Sequence, residues 1–418
     1  MSSIRKSLPA GIVDAGFASL ATFASGLVAV NVLDDVTRGI YAVYFTAFVL
    51  GQIIAYQLIY VPAEVVAVGR PVDRRLASFF SGLRPGLVAA LLGTTAILAA
   101  FAFTVRLAPP ATTTPLTLTA LVATFLSPTQ DHLRRMLHIA RVPWLAATVS
   151  TVQFVVTATS LAVFLAVGVA PVWVPFGALA VANAVSLAAG GVVVVRRVPR
   201  LEREPLRFRS LARSGRWLLV QAAIPAGANF VAAGIITTLA GAVAMGHAEA
   251  ARVVAQPILV LATGLTFALR PRVMEAAIDR DRPTARRTTR ILVIGTTAVG
   301  LGYLALVAVP WVGNPMRLLA PAAYVVAGLV AVTIVANLLL ASVFLATEEL
   351  AAADRAVTLT KVSAVAAPIQ LAVTATAAWT GAFARPLGLG AGSLTRLIGY
   401  DRALHRVYQD ADREAVAG

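Results

Sequence analysis

The chain has 418 residues, of which 59% are hydrophobic and only 13% are charged. Soluble domains are typically about 45–50% apolar and about 25% charged, so water is excluded as the main solvent of this protein. The net charge of +16 would favour nucleic-acid binding in a soluble protein, but here its meaning depends on where the arginines lie between apolar segments.

Apolar runs bounded by Arg, Pro and Gly clusters predict eleven membrane spans. A helical span needs roughly 20 apolar residues, and runs of this length exceed the strands of a membrane barrel. The first run follows Arg5 and Lys6 and is too long for the apolar region of a signal peptide, so we interpret it as an uncleaved helix. The predicted spans are residues 10–33, 41–65, 87–105, 116–130, 144–167, 172–195, 217–240, 252–269, 291–311, 322–345 and 360–380.

A twelfth run, residues 382–402, is degenerate because it contains Arg385, Arg396 and Asp401. Its Gly-x-Gly-x-Gly sequence lacks the preceding strand of a dinucleotide site and indicates helix packing or a break. Both a polar inner helix and a surface helix fit this run. The sequence therefore predicts an all-α integral membrane protein of about twelve transmembrane helices.

The basic residues predict the orientation of the spans, because Arg and Lys in short loops stay on the cytoplasmic side. With the N-terminus inside, 29 of the 35 basic residues fall on the inner side. Arg396 lies within the last run, and the five outer residues are Arg38, Arg106, Arg252, Arg317 and Arg385. Both termini are therefore predicted to be cytoplasmic. The arginine clusters are expected to hold anionic lipid headgroups and no nucleic acid.

Cysteine is absent and only four histidines occur. Without cysteine, neither a disulfide nor a thiolate metal site can form. His132, His138 and His405 are predicted to lie in inner basic turns and His247 in an outer loop, and no two have the spacing of metal ligands. We expect no metal and no cofactor, and no nucleotide-binding loop is present, which favours a function without ATP.

The densest basic segment, residues 196–216, divides the chain into two parts of similar length, which favours an internal duplication. We predict an N-terminal six-helix lobe at residues 1–198, a basic cytoplasmic linker at 199–216, a C-terminal lobe at 217–404 and a cytoplasmic tail at 405–418. Internal repeats are common in transporters, where the substrate binds near the bilayer midplane at the repeat interface. A protein without transport activity remains the alternative.

Four segments resemble one superfamily of exporters. Residues 32–41 resemble its first outer loop, where an acidic turn precedes a glycine and an aromatic residue, and residues 134–141 resemble the basic turn after its fourth helix. Residues 207–229, broken at Pro225, resemble the entry to its second lobe, and residues 248–274 resemble its eighth helix. The sequence thus resembles the multidrug/oligosaccharidyl-lipid/polysaccharide (MOP) exporters, in particular the bacterial polysaccharide and O-antigen flippases.

This resemblance implies two six-helix lobes, a cavity between them, and alternation between inward-open and outward-open forms. It implies a multi-pass protein of a bacterial inner membrane that moves a lipid-linked oligosaccharide or polysaccharide precursor, with polysaccharide assembly proteins as possible partners. Within transport, the alternative is a cation-coupled multidrug exporter of the same superfamily. Outside transport, a membrane-embedded polysaccharide-processing enzyme or a scaffold stays open, although the short outer loops argue against an enzyme.

Ionisable groups inside spans are costly, so those that occur usually face a bundle interior or a water-filled cavity. Asp14 lies on the first predicted helix in a narrow stripe with Ala18, Ala21 and Ser25. We predict that Asp14 binds the proton or sodium ion that is coupled to transport. The alternative is a structural carboxylate near the cytoplasmic end of the helix, with the small residues serving helix packing.

The second predicted helix places Tyr41, Tyr44, Phe48, Gln52 and Tyr56 on one side. Aromatic rings beside an amide suit a sugar, so Gln52 and Tyr56 are predicted to contact the substrate. The alternative is an interfacial aromatic belt with ordinary packing below it.

The eighth predicted helix gives the sharpest cluster, because Glu249, Arg252, Gln256 and Thr263 project within one sector. A pyrophosphate suits a guanidinium, whose forked donors match phosphate oxygens. Arg252 and Gln256 are therefore predicted to contact the substrate, with an intrahelical Glu249–Arg252 pair at the outer surface as the alternative.

Two further positions are predicted to contact the substrate. Arg396 is a second basic candidate, unless its helix does not span. Asn229 in the seventh predicted span is another, although interhelical hydrogen bonding would explain it as well as the other amides inside spans. Those other amides are Asn183, Asn337, Gln153 and Gln370.

The predicted topology can be tested with single cysteines, because the chain has none of its own. A cysteine introduced at position 205, in the basic linker, should react with an impermeant thiol reagent only after the cells are permeabilised. Labelling of that cysteine in intact cells would contradict a cytoplasmic linker and the orientation of every span.

Overall fold

The protein is described by a computed structural model over residues 2–198, 206–324, 326, 328–353 and 355–417. These residues form helices and turns, and no strand occurs among them. The predicted all-α membrane fold is confirmed. Backbone groups have no water partner in lipid, and helices satisfy them internally.

Twelve long helices occur within the described residues, and ten of them are long and apolar enough to cross a membrane. The helices are α1 (Ser2–Val32), α2 (Asp35–Val68), α3 (Val72–Thr104), α4 (Pro110–Ile139), α5 (Pro143–Ala166), α6 (Val174–Arg197), α7 (Phe208–Leu239), α8 (Ala242–Ile278), α9 (Arg282–Ala308), α10 (Leu329–Ala352), α11 (Ala356–Thr376) and α12 (Ala384–Ala417).

The helices outside those ten are α4 and α12, which are more polar. At about 1.5 Å per residue, the 30 residues of α4 and the 34 residues of α12 exceed the roughly 30 Å of a hydrocarbon core. The degenerate run 382–402 thus belongs to one continuous helix that begins at Ala384. Its polar residues are spread along a helix long enough to span.

The basic turn predicted at residues 134–141 is wrong, because α4 continues to Ile139. The predicted basic linker falls partly outside the described residues, at 199–205, and the position chosen for cysteine labelling lies there too. From Phe208 onward the linker is helical and belongs to α7.

Acidic side chains fix two of the helix starts. The Asp34 carboxylate accepts the backbone N–H of Thr37 at 3.0 Å and caps α2, which explains the acidic turn in residues 32–41. The Asp281 carboxylate accepts the N–H of Thr284 at 3.1 Å and caps α9, and this hydrogen bond holds the pKa of Asp281 below its usual value.

The chain divides into two compact units, Met1–Phe230 and Val231–Gly418. In the first unit, α1 packs against α5, and α4 packs against α2, α3 and α6. In the second unit, α11 packs against α12, while α8 packs against α9 and α10.

Small residues let helices of the first unit approach closely. A Cβ atom at Gly51 of α2 would lie 2.6 Å from the carbonyl oxygen of Gly93 in α3 and 2.6 Å from Cγ2 of Thr124. Within α2, residues Tyr56–Tyr60 form a π-helical turn. Gly86 of α3 leaves room for the Tyr60 ring, whose hydroxyl lies 2.7 Å from the Thr129 hydroxyl. The backbones of α2 and α3 are therefore in direct contact.

This contact predicts that Gly51→Ala and Gly93→Ala destabilise the protein, because an added methyl group would meet backbone atoms that cannot rotate away. Overpacking of this kind costs about 1–3 kcal/mol. Gly191→Ala in α6 is the matched control, since no atom lies within 4 Å of its added Cβ. Thermal denaturation of the detergent-solubilised variants, followed by size-exclusion chromatography, measures the difference. Equal stability of all three variants would contradict the close crossing.

Candidate functional site

Asp14 is buried in the first unit, between α4 and α5. Its Oδ2 atom lies 2.9 Å from Nε2 of His138, and the hydroxyl of Ser150 donates to its Oδ1 atom at 2.5 Å. Nε of Arg134 lies 3.1 Å from the same Oδ1 atom. Burial of a carboxylate is costly, and here a guanidinium, an imidazole and a hydroxyl offset that cost.

A second carboxylate–histidine pair lies in the same unit, where α2 faces α4. Oε1 of Glu64 lies 3.1 Å from Nδ1 of His132, and the hydroxyl of Tyr56 donates to Oε2 of Glu64 at 3.1 Å. The guanidinium carbon of Arg135 lies 4.2 Å from the centre of the Tyr56 ring. Tyr56 begins the π-helical turn, a distortion that is frequent at functional sites.

His132 is fully buried between two aromatic rings. Its ring centre lies 4.3 Å from that of Tyr60 and 5.6 Å from that of Phe79. Nδ1 faces Glu64, whereas Nε2 is buried and has no hydrogen-bond partner among the described residues. A buried ring nitrogen without a partner needs an explanation.

The prediction that His132, His138 and His405 lie in inner basic turns and His247 in an outer loop is wrong, since all four are in helices. His132 and His138 are in α4, His247 is in α8 and His405 is in α12. The physical reason is that the polar end of α4 is buried by the other helices of its own unit. It therefore stays helical without being apolar.

A chain of amides joins three helices beside these pairs. Gln130 of α4 donates to Gln153 of α5 at 3.2 Å, and Gln153 donates to Asn183 of α6 at 2.7 Å. These are interhelical hydrogen bonds of the kind expected for amides inside spans.

The aromatic face predicted on α2 lies mostly inside the first unit. Tyr41, Tyr44 and Phe48 are almost completely buried, and the hydroxyl of Tyr44 lies 2.7 Å from that of Thr117. This burial excludes the alternative of an interfacial belt for these rings. Gln52 is partly buried, and Tyr56 is held by Glu64, so a sugar contact at either stays a prediction.

The cluster predicted on α8 forms in the second unit, with one partner that the sequence did not indicate. Arg252 donates through Nε to Glu249 at 2.9 Å and through a terminal nitrogen to Gln256 at 3.0 Å. Arg385, at the start of α12, donates to the same carboxylate oxygen of Glu249, Oε2, at 2.7 Å. The intrahelical Glu249–Arg252 pair of the alternative therefore forms, and Glu249 is fully buried. A contact of Arg252 or Gln256 with a substrate stays a prediction. Two guanidiniums share one carboxylate, which leaves one positive charge.

Arg396 lies in α12 and is only 9% exposed. Its recorded hydrogen bonds go to its own helix, at 3.3 Å to the carbonyl of Gly392 and at 3.4 Å to the hydroxyl of Ser393. Among the described residues no carboxylate is paired with it. Asn229 lies exposed on α7, and its contact with a substrate also stays a prediction.

Glu64 and Arg385 belong to these clusters and were missed by sequence reasoning. Glu64 lies inside the predicted span 41–65, so the cost of an acidic group in hydrocarbon was the signal that could have found it. Arg385 pairs with Glu249, which lies 136 positions earlier, and no sequence spacing indicates this contact. Within the described residues, no group of three His, Asp or Glu side chains could hold a metal ion.

No protein-family description matches the sequence, and no curated protein matches it. Solved structures match it over nearly its whole length. An inward-facing multidrug resistance MATE family transporter of the MOP superfamily is 13% identical, covers 95% of this chain and 98% of its own, and has a TM-score of 0.73.

Two other structures agree with this match. A MOP superfamily transporter from Pyrococcus furiosus is 11% identical, with 97% and 95% of the two chains covered and a TM-score of 0.68. A mutant of a Vibrio cholerae MATE transporter is 16% identical, with 99% of each chain covered and a TM-score of 0.62. The expected likeness to the MOP superfamily is therefore confirmed for the fold, and this chain has the two-lobed fold of the MATE transporters.

Proposed function

We propose that the protein is a cation-coupled exporter of small organic molecules that works by alternating access. The observation that carries this proposal is the full-length match to multidrug resistance MATE transporters, with one matching structure in an inward-facing and another in an outward-facing conformation. A fold that other proteins use in two conformations supports the same mechanism here. We therefore prefer the drug exporter to the flippase for lipid-linked saccharides, which the sequence had favoured.

Coupling to a cation is supported by the first unit. Asp14 and Glu64 are carboxylates held inside a helical bundle, each against a histidine. Buried ionisable groups of this kind mark ion and proton pathways in membrane proteins. Asp14 keeps the coupling role that we predicted for it, and Glu64 joins it.

A second candidate is export of a lipid-linked oligosaccharide or polysaccharide precursor. The extra positive charge shared by Arg252 and Arg385, together with buried Arg396, favours an anionic group such as a pyrophosphate. The report on the Pyrococcus furiosus transporter states that reverse polarity of its binding pocket suggests a different function for that protein. This second candidate function would place the protein in a bacterial inner membrane, with polysaccharide assembly proteins as its partners.

The two candidates are separated by transport into reconstituted vesicles. We expect the wild-type protein to accumulate a labelled organic drug when a pH or sodium gradient is imposed, and to leave a labelled lipid-linked glycan in its original leaflet. Movement of the glycan without movement of any drug would support the flippase and contradict the drug exporter. If neither substrate moves under any gradient, the proposed function is wrong.

Substitutions at Arg252 test its predicted contact with an anionic substrate in the same vesicles. Arg252→Lys keeps the charge but loses the two-pronged donor geometry, so transport of an anionic substrate should fall several-fold, and Arg252→Ala should lower it further. The matched control is the double variant Glu249→Gln/Arg252→Gln, which removes both charges of the pair together. Wild-type transport by the double variant would mean that Arg252 only balances Glu249.

A further inference from the structure

A cavity of about 330 Å³ lies in the second unit, between the start of α11 and the polar part of α12. Three arginines line it, together with one hydroxyl and several small or apolar side chains. Its lining residues on α12 recur every three or four positions, so they share one face of that helix. This cavity, named here the α11–α12 groove, is lined mainly by Arg355, Thr358, Val362, Arg402, Ala403 and Arg406.

Close packing of α11 against α12 borders one end of the groove. A Cβ atom added at Gly399 would lie 2.6 Å from Cγ1 of Val362, and the hydroxyls of Ser363 and Tyr400 lie 3.1 Å apart. The arginines lie beyond this contact, toward the start of α11 and the end of α12. The two helices therefore hold the basic residues around a fixed space.

The α11–α12 groove is positively charged, and none of the described residues that line it is acidic. Arg402 and Arg406 are exposed, lie four positions apart on α12, and form no ion pair with a described carboxylate. Guanidiniums held near one another repel, so an anion between them lowers the free energy. Phosphate oxygens match the forked N–H donors of a guanidinium, and Thr358 adds a hydroxyl. The groove thus suits a phosphate group.

A second cavity, on the opposite face of α12, has a different balance of charge. Three arginines line it as well, but so do the carboxylates of Glu349 and Asp401. The hydroxyl of Tyr408 donates to Glu349 at 2.7 Å, and a terminal nitrogen of Arg282 lies 2.9 Å from Nδ1 of His405. Polar groups in this cavity already have partners within the protein. An external anion is therefore expected in the α11–α12 groove in preference to this cavity.

Exposed apolar side chains continue from the groove along both helices. Val365 and Ile369 share the face of Val362 on α11 and are 57% and 38% exposed. On α12, Ile398 lies one turn before Arg402 and is 45% exposed. Exposed apolar residues on a membrane span face the lipid tails. A ligand that combines a phosphate group with an apolar tail, as a phospholipid does, therefore matches this surface better than free phosphate.

We propose that the α11–α12 groove binds the phosphate-bearing headgroup of an anionic phospholipid, with the acyl chains along the apolar faces of α11 and α12. The groove lies at the ends of the spans that the arginine distribution predicts to be cytoplasmic. Anionic lipids are common in that leaflet, and basic pockets between transmembrane helices on that side bind their headgroups. The bound lipid contacts both helices and links their ends. This binding site is independent of the solute that is exported.

The test measures lipid binding to the full-length protein in detergent by native mass spectrometry. We expect the wild-type protein to bind phosphatidylglycerol at least about tenfold more tightly than zwitterionic phosphatidylcholine. The double variant Arg402→Gln/Arg406→Gln should lower the affinity for phosphatidylglycerol at least about tenfold, because two of the three positive charges are lost. Equal affinity of the wild-type protein for the two lipids, or unchanged binding of phosphatidylglycerol by the double variant, would overturn the proposal.

The double variant Arg209→Gln/Arg213→Gln is the matched control, because it removes two exposed arginines with the same spacing from α7. Arg209 and Arg213 belong to the first unit and line neither of the two cavities. This variant should keep the wild-type affinity for phosphatidylglycerol. Equal losses in the two double variants would mean that net charge alone attracts the lipid, and the groove would not be a binding site.

The variant Ala403→Phe fills the groove without changing any charge, so it tests the site even if the arginine variant does not fold. Its affinity for phosphatidylglycerol should fall several-fold, because the added ring occupies the space of the headgroup. Wild-type binding by this variant, with an unchanged elution volume in size-exclusion chromatography, would place the lipid outside the groove and overturn the proposal.

Inorganic phosphate distinguishes the two sources of a phosphate group. Phosphate at the same concentration as the lipid should leave phosphatidylglycerol bound to the wild-type protein, since free phosphate gains nothing from the apolar faces of α11 and α12. Displacement of the lipid by phosphate would identify a site for free phosphate and overturn the assignment to a phospholipid.

Discussion

A charged group inside an apolar bundle must be matched by charges of the opposite sign, and this constraint organises both units of the protein. In the first unit Asp14 is matched by Arg134, and in the second Glu249 is matched by Arg252 and Arg385. Two of these pairs, Asp14–Arg134 and Glu249–Arg385, join helices that are distant in sequence. Burial of these charged side chains costs free energy, and their pairing also positions the helices.

The two units satisfy this constraint with different sets of charged side chains. Around α4, the buried carboxylates of Asp14 and Glu64 each lie against a histidine. Around Glu249, guanidiniums outnumber carboxylates, and no histidine lies within the described contacts of the cluster. The first arrangement is the basis of the proposed cation coupling, and the second is the basis of the proposed contact with an anionic substrate.

The sequence predicts the fold class because hydrocarbon imposes simple rules on length and apolarity. Ten of the helices meet these rules on their own. The predicted end of α4 is wrong because residues 130–138 are too polar to meet the rule of apolarity. They stay helical because other helices of the same unit bury their polar side chains. The Glu249–Arg252 pair could be found from helical spacing, whereas Arg385 lies 136 positions away and only the folded chain brings it there. The same holds for Asp14 and His138, which are 124 positions apart.

We propose that the coupled cation is a proton and that its movement through the first unit drives export. Vesicles containing the reconstituted protein and an entrapped pH-sensitive dye test it most directly, without any imposed gradient at the start. Adding the exported drug to one side should move protons in the opposite direction, and Glu64→Gln should abolish this movement while the protein stays folded. Drug accumulation of normal size with no change in dye signal would contradict the account.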